Sequence, residues 1–166
     1  MRITSTGISD GIIADRFGKR GTQLNVFGKC TYSLPFEIHH APEGTITFAF
    51  VLEDVDAVPV CGFSWIHWLG CNLTEQNVPE NASTNNPNFT QGANSWISSL
   101  AGSRSVEDSS VYGGMAPPDR AHTYELHVFA LDTTLNLPDG FLLNDLRWAM
   151  RDHILASATL DGTYSD

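Results

Sequence analysis

The sequence predicts a mostly β fold, built as one domain over residues 1–166, with one helix near the C-terminus. Apolar and polar residues alternate over 45–54, and two further apolar strands are predicted over 65–73 and 123–131. Helical periodicity is convincing only near the end of the chain. At 166 residues the chain has the length of one ordinary domain and can bury a sizeable core.

One face of the strand predicted over 45–54 is apolar and consists of Ile46, Phe48, Phe50 and Leu52. Asp54 continues that face by the strand period of two. Because an unpaired carboxylate is costly to bury, we expect Asp54 to be partly buried and bonded to a pocket histidine or to loop N–H groups. The alternative is that Asp54 caps the turn that follows the strand.

Other parts of the chain give weaker signals. We expect short strands over 23–30 and 34–38. Residues 74–119 are rich in Asn, Ser, Gly and Pro, and a stretch of this length is too long for an idle loop. We expect it to contain short strands and turns, for example near 94–97, and to contribute to a site.

The predicted helix covers about residues 144–157. Its apolar stripe consists of Leu143, Leu146, Met150 and Ile154. We expect this stripe to pack on the sheet and residues 160–164 to run back along the body of the domain. Tyr164 then either reaches the rim of a site or ends on the surface.

Composition excludes several classes of protein. Nine Lys and Arg against nineteen Asp and Glu give a net charge of −10, which leaves no basic face for duplex DNA or an anionic membrane. We expect neither a nucleic-acid partner nor stable membrane anchoring. Three cysteines without metal-ligand spacing predict reduced thiols. Since the first residues show no apolar leader, the sequence favours a cytoplasmic location.

Three features carry side chains that suit a binding site. Trp65 and His67 share one face of a predicted strand, and His122 and Tyr124 share a face of another. A Gly- and Pro-rich loop, 112–118, precedes the second pair. Taken singly, each feature is a weak signal: a lone strand histidine is usually a satisfied core residue, and a Gly- and Pro-rich segment is an ordinary turn that leads into a strand.

Together with Asp54, these features predict a small pocket with an acid, two imidazoles, a tyrosine, a tryptophan and loop backbone. Imidazole N–H, tyrosine O–H and loop N–H groups can all donate to a compact oxyanion. No Lys or Arg lies between Lys29 and Arg104. We therefore expect the pocket to bind its anion without Lys or Arg, with Arg120 as the one exception.

Four motifs occur in a characteristic order. They are DVDAVP at 54–59, WIHW at 65–68, YGGMAPP at 112–118 and HTY at 122–124. In this order they resemble the phosphatidylethanolamine-binding protein family, also called the Raf kinase inhibitor protein family. Residues 151–164 resemble its bacterial branch, and the whole resemblance covers roughly residues 34–164.

The resemblance implies a large central antiparallel sheet, a second smaller sheet, a C-terminal helix and an anion pocket at one end. The pocket residues that it implies are Asp54, Trp65, His67, His122 and Tyr124. The rim residues that it implies are Tyr112, Gly114 and Pro118. The chain departs from the family pattern mainly at the rim, where Met115 follows the glycine and the gap before His122 is short. Val55 stands where the family usually has proline.

The leading hypothesis is a binding or regulatory module without a cofactor. It holds a phosphate-type group and acts on a protein partner such as a kinase or a protease, as a monomer or a homodimer. The alternative is a hydrolase with Asp54, His67 and His122 as acid–base groups, although the sequence has no nucleophile-elbow or zinc-protease motif. The same three residues are suitable metal ligands, but their spacing matches no metal motif.

Overall fold

Two β-sheets of unequal size and three short helices make up the described part of the chain. The computed structural model describes residues 1–85 and 88–166. The strands in these ranges are β1 (Arg2–Thr4), β2 (Ile8–Ser9), β3 (Ile12–Ile13), β4 (Phe36–His39), β5 (Thr47–Asp54), β6 (Trp65–Leu73), β7 (Asn77–Val78), β8 (Thr90–Gln91), β9 (His122–Leu131) and β10 (Ile154–Tyr164). The helices are α1 (Val58–Cys61), α2 (Val106–Ser109) and α3 (Leu143–Ala149), and 3₁₀ turns cover Asp15–Phe17, Val55–Ala57 and Ser95–Ile97.

The large sheet has seven strands in the order β2-β3-β10-β9-β5-β6-β8, and the small sheet has three in the order β1-β4-β7. Neighbouring strands run antiparallel except β3 and β10, which are parallel, so the large sheet is mixed. The mostly β fold with a large sheet, a smaller second sheet and a C-terminal helix is confirmed. In the two described ranges, no helix is long and apolar enough to cross a membrane.

Both faces of the large sheet are covered, as β5 shows. The face that packs against the small sheet consists of Phe48, Phe50 and Leu52. The opposite face, in the core shared with α3, includes Ala49 and Val51. The predicted inner face is therefore correct, except that Ile46 precedes the strand and is 57% exposed.

Helix α3 is shorter than the sequence predicts. It ends at Ala149, and the chain reverses through Asp152, whose φ of 67° lies in the left-handed region. Ile154 then begins β10 and is half-exposed. The prediction was wrong here because residues four apart across a tight turn have the same spacing as residues on a helix. The prediction that the apolar stripe of this helix packs on the sheet is confirmed for Leu146 and Met150, which are buried in the core beneath the sheet.

The strand predicted over 23–30 is instead a tight loop. The Asn25 side-chain oxygen accepts hydrogen bonds from the N–H groups of Phe27 and Lys29, both at 3.0 Å. Such local side-chain bonds compete with strand pairing. Leu24 and Cys30 still pair across the loop in one isolated β-bridge.

The remaining weak predictions are mostly correct in position. The strand expected over 34–38 is present as β4. The segment 74–119 contains β7, β8 and α2, and the element near 94–97 is a 3₁₀ turn.

Candidate functional site

Three strands bring the predicted site residues to one end of the large sheet. Asp54 is the last residue of β5, and the antiparallel register places it opposite Trp65 of β6 and Tyr124 of β9. His67 and His122 lie near the same strand ends. Strands antiparallel to β5 pass the point where it ends, so residues distant in sequence meet there. A pocket of about 300 Å³ opens at this end.

Most of the predicted residues line this pocket. They are Asp54, Trp65, His67, Gly114, Pro118, His122 and Tyr124. Other lining residues include Lys29, Cys61, Trp96, Arg104, Ala116 and Pro117. Tyr112 lies behind the pocket rather than on its rim: it is fully buried, and its hydroxyl donates to the Phe17 carbonyl oxygen at 2.7 Å.

Asp54 and His122 form a buried pair in the pocket wall. His122 Nδ1 lies 2.7 Å from Asp54 Oδ2, and the Ala57 N–H donates to Asp54 Oδ1 at 3.1 Å. Both Asp54 and His122 are buried. The prediction that Asp54 is buried and bonded to a pocket histidine is confirmed, and Asp54 also caps the following turn.

A second carboxylate is hydrogen-bonded to the other ring nitrogen of His122. Asp119 Oδ1 lies 2.9 Å from His122 Nε2. Because an ionised carboxylate only accepts, two such partners require both ring nitrogens to donate, and this geometry favours the imidazolium form of His122. Burial opposes this charge, but the hydrogen bonds to Asp54 and Asp119 raise the pKa of His122 overall. The outward N–H of this cation is therefore taken by Asp119, whose side chain is half-exposed.

His67 lies at an irregularity of β6. Leu52 pairs with Trp68, but the next residue of β5 pairs with Ile66, so the register passes over His67 as in a β-bulge. His67 Nδ1 donates to the Gly113 carbonyl oxygen at 2.6 Å, which fixes the proton on Nδ1 and leaves Nε2 of the neutral ring as an acceptor. Burial lowers the pKa of His67, against the opposing effect of that hydrogen bond.

Tyr124 carries a hydroxyl whose proton has no acceptor. The residue lines the pocket and is buried, and no acceptor in the described part of the chain lies within hydrogen-bond distance of its hydroxyl. Burial raises the pKa of Tyr124, with an opposing effect from the Ala116 N–H, so the hydroxyl keeps its proton. Its ring meets His67 edge-on, with 5.1 Å between ring centroids. Tyr124 is therefore a buried O–H donor without an acceptor.

The loop backbone contributes less than the sequence suggests. The Gly113 N–H donates to the His67 carbonyl oxygen and the Gly114 N–H to the Cys30 carbonyl oxygen, each at 2.8 Å. These two N–H groups are not available to a ligand. Glycine at 114 serves close packing instead, since a Cβ there would lie 2.7 Å from Cys30 Cβ.

The expectation of a pocket without Lys or Arg is wrong. Lys29 and Arg104 both line it, because the loop over 23–30 and the turns that follow Trp96 fold towards the same opening. Arg120, the expected exception, pairs instead with Asp56 at 2.9 Å.

Tyr164 has no place on the rim. It is fully buried at the end of β10, where its hydroxyl donates to the Asp15 carbonyl oxygen at 3.2 Å. The Arg20 guanidinium lies over its ring, 4.3 Å from the centroid. Residues 154–164 do run back along the body of the domain, but as a full strand of the large sheet.

Sequence reasoning missed Lys29, Arg104 and Asp119. The spacing of Asp119 and His122 is the one local signal, since a carboxylate three residues before a histidine can reach its ring. Within the described ranges, no group of three or more His, Cys, Asp or Glu side chains is placed to hold a metal ion. The side chains that line the pocket can donate hydrogen bonds and supply positive charge to a ligand.

The fold and its pocket define a small binding or regulatory module. A sequence model of the family described as phosphatidylethanolamine-binding protein matches residues 4–165. The chain therefore belongs to this family. The match extends the resemblance to residues 4–33, which lie before the four motifs of the sequence analysis.

Relatives of known sequence and structure agree with this assignment. The chain is 44% identical over 132 residues to the uncharacterised protein YxkA of Bacillus subtilis, covering 78% of the chain and 79% of the relative. It is 31% identical over 167 residues to a UPF0098 protein of Chlamydia trachomatis, with 99% and 98% covered.

Two solved structures are similar to the chain. One is a phosphatidylethanolamine-binding protein homologue from Chlamydia trachomatis, with a TM-score of 0.79, 28% identity and coverage of 99% and 97%. The other is YbcL of E. coli, with a TM-score of 0.76, 23% identity and coverage of 99% and 98%. At that identity, YbcL supports the fold alone.

Proposed function

We propose that the pocket binds a phosphate-type anion and that the chain regulates a protein partner, such as a kinase or a protease. The observation that carries the proposal is the buried Tyr124 hydroxyl, whose proton has no acceptor, in a residue that lines the pocket. A buried polar group left unpaired costs about 1–3 kcal/mol. An oxyanion in the pocket removes that cost by accepting a hydrogen bond from the Tyr124 hydroxyl.

The His122 imidazolium supplies the charge for this anion. In the structure its outward N–H is bonded to Asp119, a half-exposed carboxylate on a loop. A ligand oxygen has the same chemistry as this carboxylate and can take its place. Binding is then an exchange of one anion for another, with Asp119 returning to water.

His67 adds a preference among anions. Its Nε2 is an acceptor when the ring is neutral, so a ligand that carries a proton fits better than one with acceptor oxygens only. A phosphate monoester, whose second pKa is near 6, can take up a proton at little cost near neutral pH, whereas sulfate cannot. We propose that the pocket prefers phosphate groups to sulfate for this reason.

We favour binding over catalysis. In the hydrolase alternative Asp54 and His122 act as acid–base groups, but they are bonded to each other and the second nitrogen of His122 is bonded to Asp119. This leaves His67 as the one candidate base of that set. Turnover of p-nitrophenyl phosphate that is lost in His67→Ala would instead support the hydrolase.

Exposed apolar side chains near the pocket support a protein partner. Val26 is 90% exposed and Leu100 is 79% exposed, and each lies close in sequence to a lining residue. With a net charge of −10, the chain suits a protein surface better than nucleic acid or an anionic membrane. The three cysteines are free, which supports our proposal of a cytoplasmic location.

Tyr124→Phe tests the anion site. We expect phosphate affinity, measured by calorimetry, to fall about tenfold, since a hydrogen bond to a charged group is worth about 1.5–3 kcal/mol. The free energy of unfolding should stay equal or rise, because an unpaired hydroxyl is removed. Tyr32→Phe is the matched control, since its hydroxyl bonds Glu80 away from the pocket. Unchanged affinity in Tyr124→Phe would contradict the proposal.

A further inference from the structure

Lys29 and Arg104 line the pocket and form no ion pair within the described ranges. Four cations there pair with carboxylates, namely Arg16, Lys19, Arg20 and Arg120. Arg2, Arg147 and Arg151 are likewise without an ion pair in those ranges, but they do not line the pocket. The chain has nineteen acidic residues against nine Lys and Arg, so carboxylates are plentiful. Leaving two cations unpaired at one opening concentrates positive charge there.

The Arg104 guanidinium is held in a fixed orientation. Its Cζ lies 4.1 Å from the ring centroid of Phe27 and 4.5 Å from that of Trp96, so it contacts two aromatic rings. Its Nη1 is buried and has no hydrogen-bond partner. A guanidinium stacked by its faces presents its N–H groups at its edge, where a carboxylate or phosphate can accept two of them.

The pocket lining combines two groups of different charge. Asp54 and His122 come from strand ends and are bonded to each other, whereas Lys29 and Arg104 come from loops. The pocket volume of about 300 Å³ is at the lower end for small-molecule sites, and one oxyanion fills only part of it. The space suits a ligand with two charged groups.

Resting on the anion site proposed above, we propose that the ligand carries two anionic groups. A phosphate-type group binds at Tyr124 and His122, and a carboxylate or second phosphate binds at Arg104 and Lys29. The ligand class is therefore a short phosphorylated acid or a diphosphate. A ligand with an ammonium group at the second position meets two cations there and is repelled.

Three probes separate this inference from the proposed function. They are inorganic phosphate, 3-phosphonopropionate and 3-aminopropylphosphonate, the last two being of similar length with opposite charge at the far end. By calorimetry, we expect the carboxylate probe to bind at least about tenfold more tightly than the amine probe. Arg104→Gln should remove most of this difference between the two phosphonates, and Lys29→Gln should reduce it.

Arg151→Gln is the matched control, because it removes the same charge from a side chain stacked on Trp148, outside the pocket lining. If Arg104→Gln unfolds the protein, Lys29→Gln still tests the inference, because Lys29 is exposed and its loss should reduce the difference between the two phosphonates without unfolding the chain. Equal affinity for the two phosphonates in the native protein would overturn the inference and leave the phosphate site standing. No binding of any probe, inorganic phosphate included, would overturn both.

Discussion

His122 holds its charge between two carboxylates that differ in exposure. The Asp54 side chain is 5% exposed, whereas that of Asp119 is 50% exposed. Asp54 is fixed by the turn that it caps, and Asp119 is the partner that we propose a ligand replaces. In that proposal the two acids have different roles: Asp54 holds the imidazolium in place, and Asp119 competes with the ligand for it.

Asp119→Ala should tighten anion binding. Without the competing carboxylate, the outward N–H of His122 is free, and we expect phosphate affinity by calorimetry to rise about tenfold, or ~1.4 kcal/mol. Asp161→Ala, an exposed acid on β10, removes the same charge elsewhere and should have little effect. Weaker binding in Asp119→Ala would mean that this carboxylate helps to hold the ligand.

Sulfate affinity should fall as the pH rises. Binding uses the imidazolium of His122, whose raised pKa keeps it charged at and below the ordinary histidine value near 6.5. Affinity is therefore full below about pH 6.5 and is lost as the pH rises through that raised pKa. Sulfate does not titrate in this range, and His67 and Tyr124 stay neutral because their pKa values are lowered and raised respectively.

A titration series from about pH 6 to about pH 9 measures this slope. His122→Gln is the control, because it should bind sulfate weakly with no such pH dependence. A flat profile for the native protein would show that His122 does not supply the charge.

At the scale of single elements, the bulge in β6 decides where His67 points. Strict alternation would place Trp65 and His67 on the face of β6 opposite to Trp68. In the structure the register passes over His67, so Trp68 lies opposite Leu52 in the core and Trp65 lies opposite Asp54. His67 lines the pocket at this irregularity. The period of two thus predicted the pair correctly and could not show the irregularity beside it.

Leu146→Ala tests the packing of α3. Leu146 is fully buried, so we expect the free energy of unfolding, measured in urea, to fall by about 2–5 kcal/mol. Trp148→Ala on the same helix is the control, because Trp148 is 65% exposed and its loss should cost little. A loss below about 1 kcal/mol in Leu146→Ala would contradict the packing described here.

The sequence was sufficient where local periodicity and local chemistry agree. Strand β5 and the burial of Asp54 follow from alternation, and β6 and β9 follow from local runs of apolar residues. Lys29 and Arg104 could not be predicted in the pocket, because two loops far apart in sequence place them there. Asn25 turned a predicted strand into one of these loops through two side-chain hydrogen bonds.

For the whole molecule, the antiparallel arrangement determines where the site lies. Cores on both faces of the large sheet fix β5, and its end meets parts of β6 and β9. Polar side chains that continue the buried face there would be costly without partners. Pairing within the pocket offsets that cost for Asp54, and in our proposal a bound anion offsets it for Tyr124.

The central claim, an anion site at this end of the sheet, is tested most directly by histidine-ring NMR during a phosphate titration. We expect the ring nitrogen signals of His67 and His122 to shift together and to saturate at millimolar phosphate, while His153, on the surface beside Asp132, stays in place. Tyr124→Phe should need about tenfold more phosphate for the same shift. Ring signals of His67 and His122 that do not move at tens of millimolar phosphate would contradict the account.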